Sequence, residues 1–154
     1  MCHSRPRGAA HVTPPPLTEK PMSFEWDEKF RIGENAIDHQ HQVLIRLANE
    51  FLAATGRPAL ERCVQQLLEY TRNHFEYEEI LMRRFNYAEY EAHAQAHAEL
   101  LARLEKLSHR ISNDSLDKME LELFLRYMTV IHIPQVDSKL AEFLGSDETI
   151  RGSL

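Results

Sequence analysis

The 154-residue sequence has two cysteines, five glycines and one tryptophan. Cys2 and Cys63 do not make the disulfide framework of a small secreted scaffold, and a reducing compartment is the simplest expectation. No segment nears the roughly 20 apolar residues that span a bilayer, so no membrane partner is expected. Arg5 and Arg7 have no apolar run behind them, which argues against a secretory signal. A cytoplasmic location is therefore expected. A basic stripe is also missing and the formal net charge is -6, so nucleic acid is not an expected partner. Alternating β-branched runs and Asn-Gly turns, the marks of strands and hairpins, are absent too.

What remains is helical. At 43% hydrophobic and 27% charged residues, the length suits one globular domain with a real core. Residues 1–22, with Pro14 to Pro16 and almost no large apolar side chain, read as a flexible tail. From Ser23 to Ile37 the apolar residues are irregularly spaced, as in an arm laid over a core. Four amphipathic stretches come after it. The first takes Asp38 as N-cap, carries Leu44, Ile45, Ala48, Phe51 and Leu52, and ends near Gly56. The second runs from Pro58 to about Phe85, with Leu60, Val64, Leu67, Thr71 and His74 in phase. The third begins after Asn86, with Glu89 in a capping-box position, and reaches about Ile111. After a polar break at Ser112 to Ser115, the fourth runs towards Leu144 with Leu121, Phe124, Leu125, Met128 and His132 in phase. Short breaks between long helices predict an all-α, antiparallel up-down four-helix bundle over residues 23–147, with 148–154 as a C-terminal tail.

Nine histidines are present, and helical phase selects among them. Residues two apart lie about 200° apart on a helix, so His39 and His41 cannot both face inward. His41 shares its face with Leu44, Ile45 and Ala48 and is the inward one. A separation of four leaves side chains only about 40° apart, which pairs His74 with Glu78 and His93 with His97. Glu76 and Glu79 fall about 200° and 140° from His74 and are set aside. His3 and His11 lie in the tail, and His109 is rotated off the stripe of His93 and His97. His132 and Asp137 are five apart, about 140° on a regular α-helix, and need a local distortion to face one point. Pro134 lies between them. Either it bends the helix and brings Asp137 round, or it ends the helix and Asp137 caps the next segment.

Seven imidazoles and carboxylates converging in one interior are costly to bury as bare polar groups, and bound metal removes that cost. Zinc is served by three or four ligands, so seven call for two ions. Mixed imidazole and carboxylate donors suit iron, whereas calcium and magnesium prefer oxygen alone. Two carboxylates can bridge, which leaves five nitrogens to divide three and two. One ion is then filled and the other keeps an open position. The nitrogen-rich shell donates less negative charge than the Glu-dominated oxygen-activating di-iron sites, which favours reversible dioxygen capture over oxidative turnover.

Through FEWDEKF, IDHQH, HFEYEE, HAQAH and HIPQVD, from about Phe24 to Leu144, the chain resembles the hemerythrins, and within them the single-domain bacterial ones. The resemblance implies a four-helix bundle with two iron ions, Fe2+/Fe3+, bridged by an oxo or hydroxo oxygen, and dioxygen as the small-molecule partner. Matched by motif, His93, His97 and His132 would hold the filled iron, and His41 and His74 the open one. Glu78 and Asp137 would bridge. Dioxygen would be held as hydroperoxide at the open iron, in a pocket lined by Met128, Thr129 and Ile133. The resemblance implies oxygen storage, delivery or buffering with no catalytic residue. The alternatives are a di-iron enzyme reducing peroxide or nitric oxide, or a sensor acting through a separate partner. The chain is expected to be a monomer or a weak homo-oligomer. Two departures stand out. Met128 and Thr129 replace the family's frequent Trp-Leu, and Leu140 replaces a tyrosine. The Thr129 hydroxyl would either admit water and speed oxidation, or add a hydrogen bond to the bound oxygen.

Overall fold

The computed structural model describes residues 23–146 together with 150 and 152. The expected N-terminal tail, 1–22, lies outside the described residues, as does most of the segment 148–154. The described chain is helical, with no strand among the described residues. Four long helices form the predicted bundle: α1 (Asn35–Ala53), α2 (Arg57–Arg84), α3 (Tyr90–Ser112) and a fourth built from three continuous pieces. These pieces are α4 (Lys118–Arg126), a π-helical segment (Tyr127–Asp137) and α5 (Ser138–Ser146). Helix α1 packs on α2, α2 on α3, and the fourth helix on both α1 and α3.

The arm before α1 is ordered by side chains rather than by regular structure. The Phe24 N–H donates to Asn49 Oδ1 at 2.8 Å, and its carbonyl accepts from Asn49 Nδ2 at 2.7 Å. After a short 3-10 turn (Glu28–Phe30), Phe30 is buried beside Ile45 and Ile133. Helix α1 then starts one turn earlier than Asp38 suggests. Glu34 is the N-cap and accepts from the Ile37 N–H at 2.6 Å. Asp38, inside the first turn, instead accepts from the Ile32 and Gly33 N–H groups at 2.7 and 3.1 Å and so ties the arm to the helix.

The ends differ from the sequence expectation in three further ways. Helix α1 stops at Ala53, and Gly56, at φ 78°, precedes α2 as its N-cap, with Pro58 in the first turn as expected. Glu89 caps α3 in position but makes no side-chain cap hydrogen bond. Asn86 ends α2 rather than starting α3. It sits at φ 55°, with Tyr87 N–H donating to Met82 O and Asn86 N–H to Arg83 O, the paired bonds of a Schellman turn. Asp114, at φ 52°, closes α3 in the same way. Asp117 then caps α4 through the Met119 N–H.

Besides the small cluster under Phe30, two larger apolar clusters fill the bundle. The larger includes Leu44, Ala48, Phe51, Val64, Leu67, Leu100, Leu104, Phe124, Leu125 and Met128. The smaller joins Ile37, Leu81, Met82, Leu140, Leu144 and Ile150. Each fully buried Leu, Ile or Phe contributes about 1.5–3 kcal/mol of transfer free energy. The buried polar residues lie between these clusters along the helices.

Candidate metal centre

All four long helices contribute to one polar cluster. His41 comes from α1, His74 and Glu78 from α2, His93 and His97 from α3, and His132 and Asp137 from the π segment. None of the seven is more than 3% exposed. The two four-residue spacings act as helical phase predicts. The five-residue spacing is served by the backbone of the π segment, where i→i+5 hydrogen bonding places residues five apart about one turn above each other. Pro134 therefore neither ends the helix nor kinks a regular one; it sits inside a widened turn, and its carbonyl accepts from the Ser138 hydroxyl at 2.8 Å.

The donor atoms fall into two groups, His93, His97, His132 and Asp137 on one side and His41, His74, Glu78 and Asp137 on the other, each spanning no more than 4.8 Å. The carboxylates divide their oxygens between the two sides. Glu78 Oε2 lies 3.3 and 3.2 Å from the Nε2 atoms of His93 and His97, while its Oε1 lies 3.6 and 4.0 Å from those of His74 and His41. Asp137 Oδ1 lies 3.1 and 3.2 Å from His93 and His132 Nε2, and its Oδ2 lies 3.1 Å from His41 Nε2. This leaves three imidazoles on one side and two on the other.

Two residues outside the predicted set orient these rings. Gln40 Oε1 lies 2.8 Å from His74 Nδ1, and Glu79 Oε1 lies 3.2 Å from His97 Nδ1. Each oxygen accepts the Nδ1 proton, which leaves the Nε2 lone pair for the cluster. Glu79 is turned away from His74 on its own helix, and that rotation aims it at α3. Its only signal in the sequence is its place beside Glu78. Phe75 stacks on His97 with ring centroids 3.7 Å apart and planes 4° apart, which fixes the ring's tilt.

The electrostatics favour a cation. Burial, foremost, pushes the His74 imidazole down to about 4. Burial and Asp137 oppose ionisation of Glu78, yet His74, His93 and His97 outweigh them and hold its carboxyl at about 2. Asp137 is likewise held well below the usual carboxylate range, against burial, by His132, His41 and His93. His93 goes the other way. Burial opposes its charge, but the neighbouring carboxylates of Asp137 and Glu78, 3.1 and 3.3 Å away, push it up to about 9. Two buried carboxylates are thus anionic. Glu78 Oε1 and Oε2, Asp137 Oδ2, His74 Nε2, His97 Nε2 and both ring nitrogens of His41 and His132 lack a hydrogen-bond partner. Buried donors and acceptors are normally paired, so this concentration of unpaired atoms fits divalent or trivalent metal.

The remaining predicted positions are also accounted for. Met128, Thr129 and Ile133 are each 1% exposed. The Thr129 hydroxyl donates to the Leu125 carbonyl at 2.8 Å, so its proton is committed to its own helix. His39 and His109 are exposed, whereas His3 and His11 lie outside the described residues. Among the described residues no helix is long and apolar enough to cross a membrane.

Comparison with known proteins agrees with this geometry. Residues 33–144 match the hemerythrin HHE cation binding domain. The chain is 29% identical over 119 residues to a myohemerythrin of Sipunculus nudus, covering 77% of this chain and 92% of that protein. It is 32% identical over 106 residues to a bacteriohemerythrin of Methylococcus capsulatus, covering 65% of this chain and 79% of the other. A crystal structure of a hemerythrin with a leucine-to-alanine substitution superposes with a TM-score of 0.70 at 27% identity, covering 78% of this chain and 96% of that one.

Proposed function

Since the chain belongs to the hemerythrin family, we propose that it is a non-haem di-iron protein that binds dioxygen reversibly, for oxygen storage, delivery or buffering. The observation that carries this reading is the division of the Glu78 and Asp137 oxygens between a three-histidine side and a two-histidine side. His93, His97 and His132 would hold one iron, His41 and His74 the other, and both carboxylates would span the pair. When bound, the iron pair supplies an electron-rich position with room for one small exogenous ligand. The protein's part is to hold, orient and exclude water. Gln40 and Glu79 keep the protons of His74 and His97 on Nδ1. The buried side chains of Leu44, Leu100 and Met128, each within four residues of a donor histidine, keep bulk water from the cluster.

Carriage is favoured over peroxide or nitric oxide reduction. Thr129 is the feature that pointed towards catalysis, and its hydroxyl proton is engaged by Leu125. A cytoplasmic location and a monomeric or weakly associating chain go with this reading, supported by the free thiol of Cys63 and the net charge of -6. Mixing the reduced, anaerobic, iron-loaded protein with oxygen tests the proposal. A visible absorption band that grows with oxygen and bleaches under vacuum is expected. Absence of any band, or rapid repeated consumption of added peroxide or nitric oxide, would rule carriage out.

A further inference from the structure

One turn from the donors lies a layer of residues that share a level of the bundle. In antiparallel helices a residue three after a donor on α1 or α3 meets one three before a donor on α2 or the fourth helix, each displaced about 4.5 Å along its axis. The four are Leu44 after His41, Thr71 before His74, Leu100 after His97 and Thr129 before His132. All are 2% exposed or less.

The two hydroxyls in this layer behave differently. Thr129 donates to the carbonyl four residues back, Leu125 O, as threonines in helices commonly do. Thr71 makes no such bond. Its Oγ1 has no hydrogen-bond partner although the residue is 1% exposed. A buried hydroxyl left unpaired is costly, and a local acceptor is always one turn away in a helix, so its disuse requires a reason. Thr71 also shares α2 with His74, on the side where two histidines rather than three face the carboxylates. On the di-iron reading, that is the side whose metal keeps a position open for an exogenous ligand.

We infer that the Thr71 hydroxyl donates a hydrogen bond to the small exogenous ligand, dioxygen or a small anion, that enters on the His41–His74 side. This rests on the di-iron reading above. Thr71 holds no metal itself; it orients what arrives and offers it the one hydroxyl proton of the layer that is not already committed to a helix carbonyl.

The test uses the full chain loaded with iron and oxidised, with azide as the probe, titrated by its visible absorption. Thr71→Val keeps the shape and removes the hydroxyl, and is expected to weaken azide binding about tenfold, the loss of one hydrogen bond to a charged group. Thr71→Ser should stay within about a factor of two of the parent, since the hydroxyl survives. The metal-free Thr71→Val chain should melt at or above the parent's temperature, because a methyl replaces an unpaired hydroxyl. Unchanged azide affinity in Thr71→Val with both irons retained would overturn the inference and leave the di-iron reading standing. Equal loss in Thr71→Val and Thr71→Ser would overturn it by assigning the effect to packing. A clear drop in the metal-free melting temperature would do so by assigning the hydroxyl a structural partner. A parent chain that takes up no iron pair defeats the di-iron reading itself.

Discussion

His132 Nε2 lies 3.2 Å from Asp137 Oδ1, although the two residues are five apart on one helix. A regular α-helix would turn them about 140° from each other. The π-helical Tyr127–Asp137 segment removes that mismatch and delivers to the cluster a carboxylate that faces both histidine groups.

Both shared carboxylates should be indispensable for a pair of ions. Asp137→Asn and Glu78→Gln each replace an anionic oxygen pair with an amide that offers one oxygen and an NH2 group with two donors. Iron retained after gel filtration should fall from two per chain to one or fewer in each variant. Elemental analysis against protein concentration measures this.

His74→Ala and His39→Ala separate facing from mere presence. His74 is 2% exposed and its Nε2 points at Glu78 Oε1, whereas His39 is exposed on the opposite side of α1. The first variant should lose or loosen one iron and lose the response to oxygen. The second should match the parent in both assays. Equal behaviour would refute the assignment by helical phase.

Much of this centre was legible from the residues because spacing four on an α-helix admits a single interpretation. His41, His74, Glu78, His93 and His97 are all chosen by phase, and the structure brings them together. Asp137 could not be placed that way, since a π segment is selected by tertiary packing rather than by any local propensity of Pro134. The start of α1 was hidden for a related reason. Glu is a weak N-cap by preference and Asp38 the better one by residue type, but the Asp38 oxygens hold the Ile32 and Gly33 N–H groups while Glu34 takes the cap. Gln40 and Glu79 act across to neighbouring helices, so no reading of one helix at a time finds them.

Glu79 should matter without touching metal. It accepts from His97 Nδ1 and stands 3.6 Å from Arg83. Outer partners of this kind are worth about 10–100-fold in metal affinity. Glu79→Ala should lower iron affinity by that order, with Glu79→Gln recovering part of it because the amide oxygen still accepts. Chelator competition reads both values.

The metal-free chain should be squeezed from two sides of pH. His74, held at about 4 against an ordinary 6.5, adds stability above pH 6.5 and loses it as the pH falls towards 4. Glu78, held at about 2 against 4.5, likewise loses its contribution as the pH drops below 4.5. His93, raised to about 9, stabilises fully below pH 6.5, and that contribution disappears as the pH rises to 9. Melting temperature should therefore peak near pH 6.5 and fall by roughly 5–10 °C by pH 9. With iron bound, a metal replaces the His93 proton and the alkaline fall should vanish. Circular dichroism melts of the two forms across this range decide it.

The most direct measurement is the iron content of the chain after anaerobic reconstitution and removal of excess metal. Two irons per polypeptide, falling to one or fewer on Glu78→Gln or Asp137→Asn while the fold is kept, is the result this account predicts. Zinc alone, or no more than one iron per polypeptide in the parent protein, would contradict it.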